Sequence, residues 1–162
     1  MGLAGEPPSF RAWYGLLSVQ TRLQDRVAAE LEAETGLVLS SFELLAHLYW
    51  HPDGRVRMSE LADDLLLSRG GATRQVARLE EVGLLDREIP RTDRRATFAV
   101  ITAAGRATFE RAYPLLVDSV QRHLGSTLDE DDLAHLIRIM AKVLREVDPG
   151  CAAFYEAEEA SA

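Results

Sequence analysis

Arg69, Thr73, Arg74 and Arg78 fall at intervals that place them along one side of a helix. A guanidinium binds two acceptors at once with its planar fork, and threonine offers a hydroxyl and a methyl. Those groups suit phosphates, guanine edges and thymine methyls. Ala72, Val76 and Leu79 interleave as an apolar stripe, so the outward set is Arg69, Gly70, Thr73, Arg74 and Arg78, with Ser68 at the helix cap. Gly70 and Gly71 each cost about 1 kcal/mol relative to alanine within a helix. In a first turn, close approach of the backbone to a phosphate offsets that cost. A second cluster, Arg91, Asp93, Arg94 and Arg95, lies within five residues. An arginine-rich tip suits the enhanced negative potential of a narrow minor groove. Asp93 is expected to brace it, by pairing with an arginine or accepting turn amides.

The surrounding elements must position these groups. Residues 9–35 carry Trp13, Leu16, Leu17, Leu23, Val27 and Leu31 near one helical stripe, after Pro7-Pro8 and before Gly36. Ser40 and Glu43 match a capping box for a second helix. Pro52-Asp53-Gly54 predicts a turn, and Arg55-Val56-Arg57 a very short strand. Ser59 is the expected cap of a short helix, and Ser68 of the helix from Arg69 to about Val82, which Gly83 ends. Two short helices with a tight link form a helix-turn-helix pattern. Leu84–Ile89 and Ala96–Ile101 then predict a hairpin around the arginine-rich turn. Thr102 is the expected cap of a helix over about 103–124, in which Pro114 predicts a kink or irregular turn and which Gly125 closes. A last helix, starting near Thr127 to Asp129, carries acids in its first turn and a broad apolar face.

The formal charge of the 162 residues is −8, which taken whole argues against a polyanionic partner. Its distribution alters that. Residues 55–106 hold ten arginines and eight acids, a net +2, and the remainder carries −10. Lys142 is the only lysine among 18 cations. Cys151 is the only cysteine, which excludes an intrachain disulfide and a Cys-rich zinc site. No apolar run approaches the ~20 residues of a membrane span. Met1 to Pro8 lack the pattern of a secretory signal, so the expected compartment is the cytoplasm and no membrane partner is expected.

A helix-turn-helix followed by a two-stranded hairpin is the winged-helix order, in which the second helix enters the major groove and the hairpin lies alongside. Ser59-Glu60-Leu61-Ala62, Leu66-Leu67-Ser68-Arg69, Thr73-Arg74, Leu79-Glu80 and Gly83-Leu84-Leu85 resemble the MarR family of bacterial transcriptional regulators. So does Asp93-Arg94-Arg95 followed by Ile101-Thr102 and Gly105. The resemblance covers about residues 9–148. It implies a mainly α fold with a winged helix-turn-helix lobe over 37–103 and a two-stranded β wing. Helices over 9–36 and 104–148 would form a dimerisation domain. Residues 149–162, with Pro149-Gly150 and then small and acidic residues, are expected from their composition to be a flexible tail.

It also implies a homodimer on a pseudo-palindromic duplex. Arg94 would then enter the minor groove, and Ser68, Arg69, Thr73, Arg74 and Arg78 would form the recognition surface. Gly70-Gly71 departs from the larger polar residues many relatives carry. The resemblance further implies a repressor released by a small phenolic or anionic ligand. Trp13, Leu17, His47, Trp50 and Tyr113 stand at the matching places. A module of the same fold that binds a ligand or protein but not DNA is the alternative.

Other chemistry has less support. His47 and His51 lie four apart with Asp53 near, which supplies two ligands and not a complete site, so no metal or cofactor is expected. Cys151 has no basic or helix-start setting to make it reactive. No nucleophile–base pair, phosphate loop or dinucleotide fingerprint is present, so no enzyme activity is expected.

Overall fold

The structure, a computed structural model, describes residues 3–90 and 96–148. Four of the expected site residues (Arg91, Asp93, Arg94 and Arg95) lie outside them, as does the expected tail 149–162 with Cys151.

Helix α1 (Pro8–Thr35) opens on a proline, whose missing amide would have had no partner in the first turn. It stops at Gly36, which takes the left-handed conformation at φ +71° and donates its amide to the Glu32 carbonyl. Helix α2 (Leu39–Trp50) departs from expectation. It starts ahead of the Ser40–Glu43 box, with Val38 at its N-cap and no side-chain cap. Starting there sinks Ser41, Phe42, Leu44, Leu45 and Leu48 in one buried face, and that burial outweighs the cap.

Strand β1 (Arg55–Arg57) leads directly into α3 (Met58–Asp64). Ser59 therefore does not cap α3. Arg57 is the N-cap residue, and the Met58 amide is already bound to the Thr97 carbonyl at 2.9 Å. The sheet thus satisfies the first of the helix's free amides. A turn then ends α3. The amides of Leu66 and Leu67 donate to the carbonyls of Asp63 and Ala62, with Leu66 left-handed at φ +53°.

Ser68 does cap α4 (Arg69–Glu81), its hydroxyl accepting from the Gly71 amide at 3.1 Å. The hairpin strands are shorter than expected: β2 is Leu85–Glu88 and β3 is Phe98–Ile101. The sheet has three antiparallel strands in the order β1-β3-β2, with Val56 opposite Ala99 and Leu85 opposite Ile101. β3 is the central strand, so the wing base and the segment before α3 share one sheet.

Thr102 caps α5 (Ala103–Val120) as expected, accepting from the Gly105 amide at 3.0 Å. The same hydroxyl donates to the Gly83 carbonyl at 2.8 Å, tying the cap to the end of α4. Pro114 does not interrupt α5. The proline lacks the amide that would have reached the Glu110 carbonyl, but both residues are exposed and water can serve that carbonyl.

One core unites Leu31, Leu44, Leu45, Leu48, Leu61, Val76, Leu79, Leu85, Ala99, Ile101, Phe109 and Ala112. Burying a leucine of this kind contributes about 1.5–3 kcal/mol. The C-terminal part of α1 and the N-terminal part of α5 thus belong to the same core as the helix pair. Ser119 on α5, itself buried, donates to Glu30 on α1 at 2.6 Å.

The chain divides into two units, Met1–Ser119 and Val120–Ala162. Within the second, a π-helical turn spans Gln121–Gly125, away from the position where Pro114 predicted an irregularity. Asp129 caps α6 (Glu130–Val147) by accepting from the Asp132 amide at 2.8 Å. Glu130, Asp131 and Asp132 occupy its first turn, where the helix dipole favours acids. No helix among the described residues is long and apolar enough to cross a membrane.

Candidate nucleic-acid interface

Helix α4 is amphipathic because Ala72, Val76 and Leu79 face the core at no more than 2% exposure. The opposite side presents Ser68, Arg69, Gly70, Thr73, Arg74 and Arg78, all exposed, so the six sequence-predicted residues share one surface. Thr73 donates its hydroxyl to the Arg69 carbonyl at 2.8 Å. What it offers outward is its methyl group and its acceptor lone pairs. Gly70 and Gly71 differ in origin. A Cβ on Gly71 would lie 3.1 Å from the Ser68 hydroxyl, so its smallness serves the cap. A Cβ on Gly70 would meet only the Arg74 guanidinium, at an ordinary 3.7 Å. Nothing inside the protein requires glycine at 70.

Two arginines of the central block make ties within the lobe instead of forming its surface. Arg87 on β2 donates to the Thr73 carbonyl at 3.0 Å and its Nε lies 3.2 Å from Glu80. One side chain therefore pins α4 to the sheet at two points about two turns apart. Sequence alone could not find this, because the Thr73 carbonyl becomes reachable only when β2 packs on α4. Arg55 likewise pairs with Glu88 at 3.4 Å and lies over the Phe98 ring, 4.0 Å from its centroid. Arg87→Met is expected to lower stability by about 1 kcal/mol, from one lost carbonyl partner and a half-exposed ion pair of little value. Urea denaturation measures this, and no loss would mean that the two contacts are not made in solution.

Beside the first turn of α4 a cleft of about 310 Å³ is lined by Arg57, Met58, Ser59, Arg69, Thr73, Ala96 and Thr97. Arg57, Arg69, Ser59 and Thr97 line it, and their side chains are of the donor types that suit an oxyanion. Arg57, Ser59 and Thr97 were not among the sequence-predicted site residues. Their only signal is the strand–helix junction that β1 makes with β3.

The other predicted set is split. Trp50 and Tyr113 come together, with ring centroids 5.5 Å apart and planes at 83°. Phe109 lies 5.1 Å from Trp50, and Tyr49 lies 4.4 Å from Phe109. Trp50 is 58% and Tyr113 41% exposed, so the cluster has an open side. The Tyr49 hydroxyl donates to Glu110 at 3.1 Å, and that hydrogen bond holds the phenol above its ordinary range. Trp13 instead pairs with Phe10 along α1, and Leu17, on the same helix, is exposed. His47 faces Asp64 of α3 at 3.1 Å, an α2–α3 tie. Among the described residues no group of three His, Cys, Asp or Glu side chains could hold a metal ion.

Comparison with known proteins places this arrangement. A family model described as MarR family matches residues 35–96, which span α2, the helix pair and the start of the hairpin. The HTH-type transcriptional regulator MhqR of Bacillus subtilis is 31% identical over 108 residues, 67% of this chain and 72% of that protein. AbsC, a MarR family transcriptional regulator from Streptomyces coelicolor, superposes with a TM-score of 0.76 at 32% identity, over 84% of this chain and 91% of that one. Sco3205, a MarR family transcriptional regulator from the same organism solved in complex with DNA, does so with 0.77 at 30% identity, over 86% and 90%. Since the match extends from the helix pair through nearly the full length of solved regulators, this chain belongs to the MarR family of transcriptional regulators.

Proposed function

We propose that the protein is a homodimeric, sequence-specific DNA-binding regulator, a repressor released by a small phenolic or anionic ligand. The observation that carries this is the exposed face of α4. Ser68, Arg69, Gly70, Thr73, Arg74 and Arg78 stand on one side of a helix whose other side is sunk in the core. Arg87 fixes that helix to the wing base. A major groove admits one such helix, with side chains of these types on base edges and phosphates. Arg91, Asp93, Arg94 and Arg95 then serve the adjacent minor groove, with Arg94 inserted and Asp93 bracing it. The DNA complex of Sco3205, at 30% identity, supports the same use of the fold here.

Residues 37–103 form the DNA-binding lobe in this proposal, and residues 9–36 and 104–148 the dimerisation helices. Support comes from exposed apolar side chains on both: Phe10, Trp13, Leu16 and Leu17 on α1, and Ile137, Ile139, Val143 and Val147 on α6. A two-fold axis would set two copies of α4 about one DNA turn apart, ~34 Å, on a pseudo-palindromic site. Trp13, Leu17, His47, Trp50 and Tyr113 are the proposed effector contacts. The open side of the Trp50–Tyr113 pair favours a flat aromatic ligand.

Mobility shift of the chain's own upstream region tests the proposal. Retardation at low salt, weakened as salt rises, is expected. No retardation would favour a ligand- or protein-binding module that has left DNA. Arg94→Ala is expected to weaken binding to all sequences alike and to lower the salt dependence by about one unit of slope. Wild-type affinity in that variant would mean that the wing is not engaged.

A further inference from the structure

The turn that ends α3 carries a side chain that nothing inside the protein requires. Leu66 has φ +53°, the one positive value at a non-glycine among the described residues. Its neighbour Leu65 packs against the core, while the Leu66 side chain is 89% exposed. The backbone there is a helix-ending cap, with the Leu66 amide on the Asp63 carbonyl at 3.2 Å and the Leu67 amide on the Ala62 carbonyl at 2.8 Å. Glycine or asparagine makes that cap without steric conflict. Neither the backbone nor the core asks for leucine. Along the chain it stands between the half-buried Leu65 and Leu67. Asp63 and Asp64 precede it, and Ser68, Arg69 and Gly70 follow, all exposed. One exposed leucine, its two leucine neighbours half-buried, does not make a protein-docking patch, which needs contiguous apolar area. It does match one small apolar group set in a charged surface. The thymine methyl is the apolar group that a duplex displays in its major groove, between its phosphate rows.

We infer that Leu66 is a specificity residue that packs against a thymine methyl beside the entry of α4. This rests on the DNA-binding proposal above. Such a contact adds sequence preference without adding charge, so it leaves the salt dependence of binding untouched. Deoxyuridine removes only the methyl, which gives a direct test. The full-length chain first selects a duplex from a randomised pool. That duplex is then compared with versions carrying deoxyuridine at each thymine in turn, using the wild type, Leu66→Gly and Leu66→Asn. Both substitutions suit a left-handed turn and are expected to raise Tm by about 2–4 °C.

The wild type is expected to lose about threefold in affinity at one thymine when its methyl is removed. The variants are expected to bind the thymine duplex about threefold more weakly, with unchanged salt slope, and to ignore the methyl. Variants that keep the full methyl sensitivity, or that bind every duplex as the wild type does, would overturn the assignment. A variant weakened equally on all duplexes, with a smaller salt slope, would also overturn it. If the wild type selects no duplex, the DNA-binding proposal falls and this assignment with it. If it selects one but shows no methyl sensitivity, only the assignment falls.

Discussion

Gly105→Ala is expected to cost the folded state at least about 3 kcal/mol and to lower Tm by about 6–12 °C. Gly105 is buried in the first turn of α5. A Cβ there would fall deep inside contact distance of the Leu84 carbonyl oxygen and 2.9 Å from Ile101 Cγ1. The carbonyl cannot simply retreat. It accepts from the Thr102 amide at 3.2 Å and lies 3.1 Å from the Thr102 hydroxyl, which also receives the Gly105 amide. The junction between the end of α4, the hairpin and α5 is therefore made of backbone on backbone. Against a net stability of about 5–15 kcal/mol, the loss is a large share. Gly70→Ala supplies the internal control. A Cβ there makes only an ordinary contact with Arg74, and the change is expected to be neutral or to gain up to about 1 kcal/mol. Urea denaturation of both variants is the measurement. A cost below about 1 kcal/mol at Gly105 would mean that α5 can shift away from Leu84.

Arg74→Ala is expected to lower affinity for the preferred duplex by about 10- to 100-fold, with much smaller losses on other sequences. The Arg74 guanidinium lies within 3.7 Å of where a Cβ on Gly70 would be, on the exposed face of α4. A bidentate contact to a guanine edge from there carries about 1–3 kcal/mol of discrimination. The effect of Arg94→Ala should be of the opposite kind, spread over all sequences. A selection from a random pool with each variant separates the two. A uniform loss at Arg74 would make it a phosphate contact and remove it from sequence choice.

What could be read from the sequence follows from where each stabilising partner lies. Ser68, Gly36 and Thr102 were legible because a cap and its amide, or a left-handed stop, lie within a few residues of each other. The outward face of α4 was legible because its apolar stripe fixes which side is left over. The starts of α2 and α3 were not. Val38 and Arg57 hold those positions because of burial and of the Thr97 carbonyl, both set by distant parts of the chain. Pro114 looked disruptive because the pattern did not show that the stranded carbonyl would be exposed. Arg87 and Arg55 counted as cations in the sequence, and the fold turned them into internal ties. The charge of the central block is thus a poor guide to how many arginines a partner meets. The effector candidates came from the resemblance, which does not fix how side chains on different helices meet. Trp50 and Tyr113 meet across two.

The sheet order β1-β3-β2 has a consequence for the chain as it is made. β1 precedes the helix pair and β3 follows it, with Arg55 opposite Val100. Every residue of the recognition surface lies inside the loop that this pairing closes. A nascent chain halted before residue 98 has α3 and α4 but not the strand that frames them. Pairing across some 45 residues is also entropically costly until β2 and β3 have zipped locally and offered a ready edge. At synthesis rates of about 5–20 residues per second, the surface has no scaffold for the seconds it takes to make that stretch. A truncated product ending in the wing would then carry the arginines of α4 without the means to aim them.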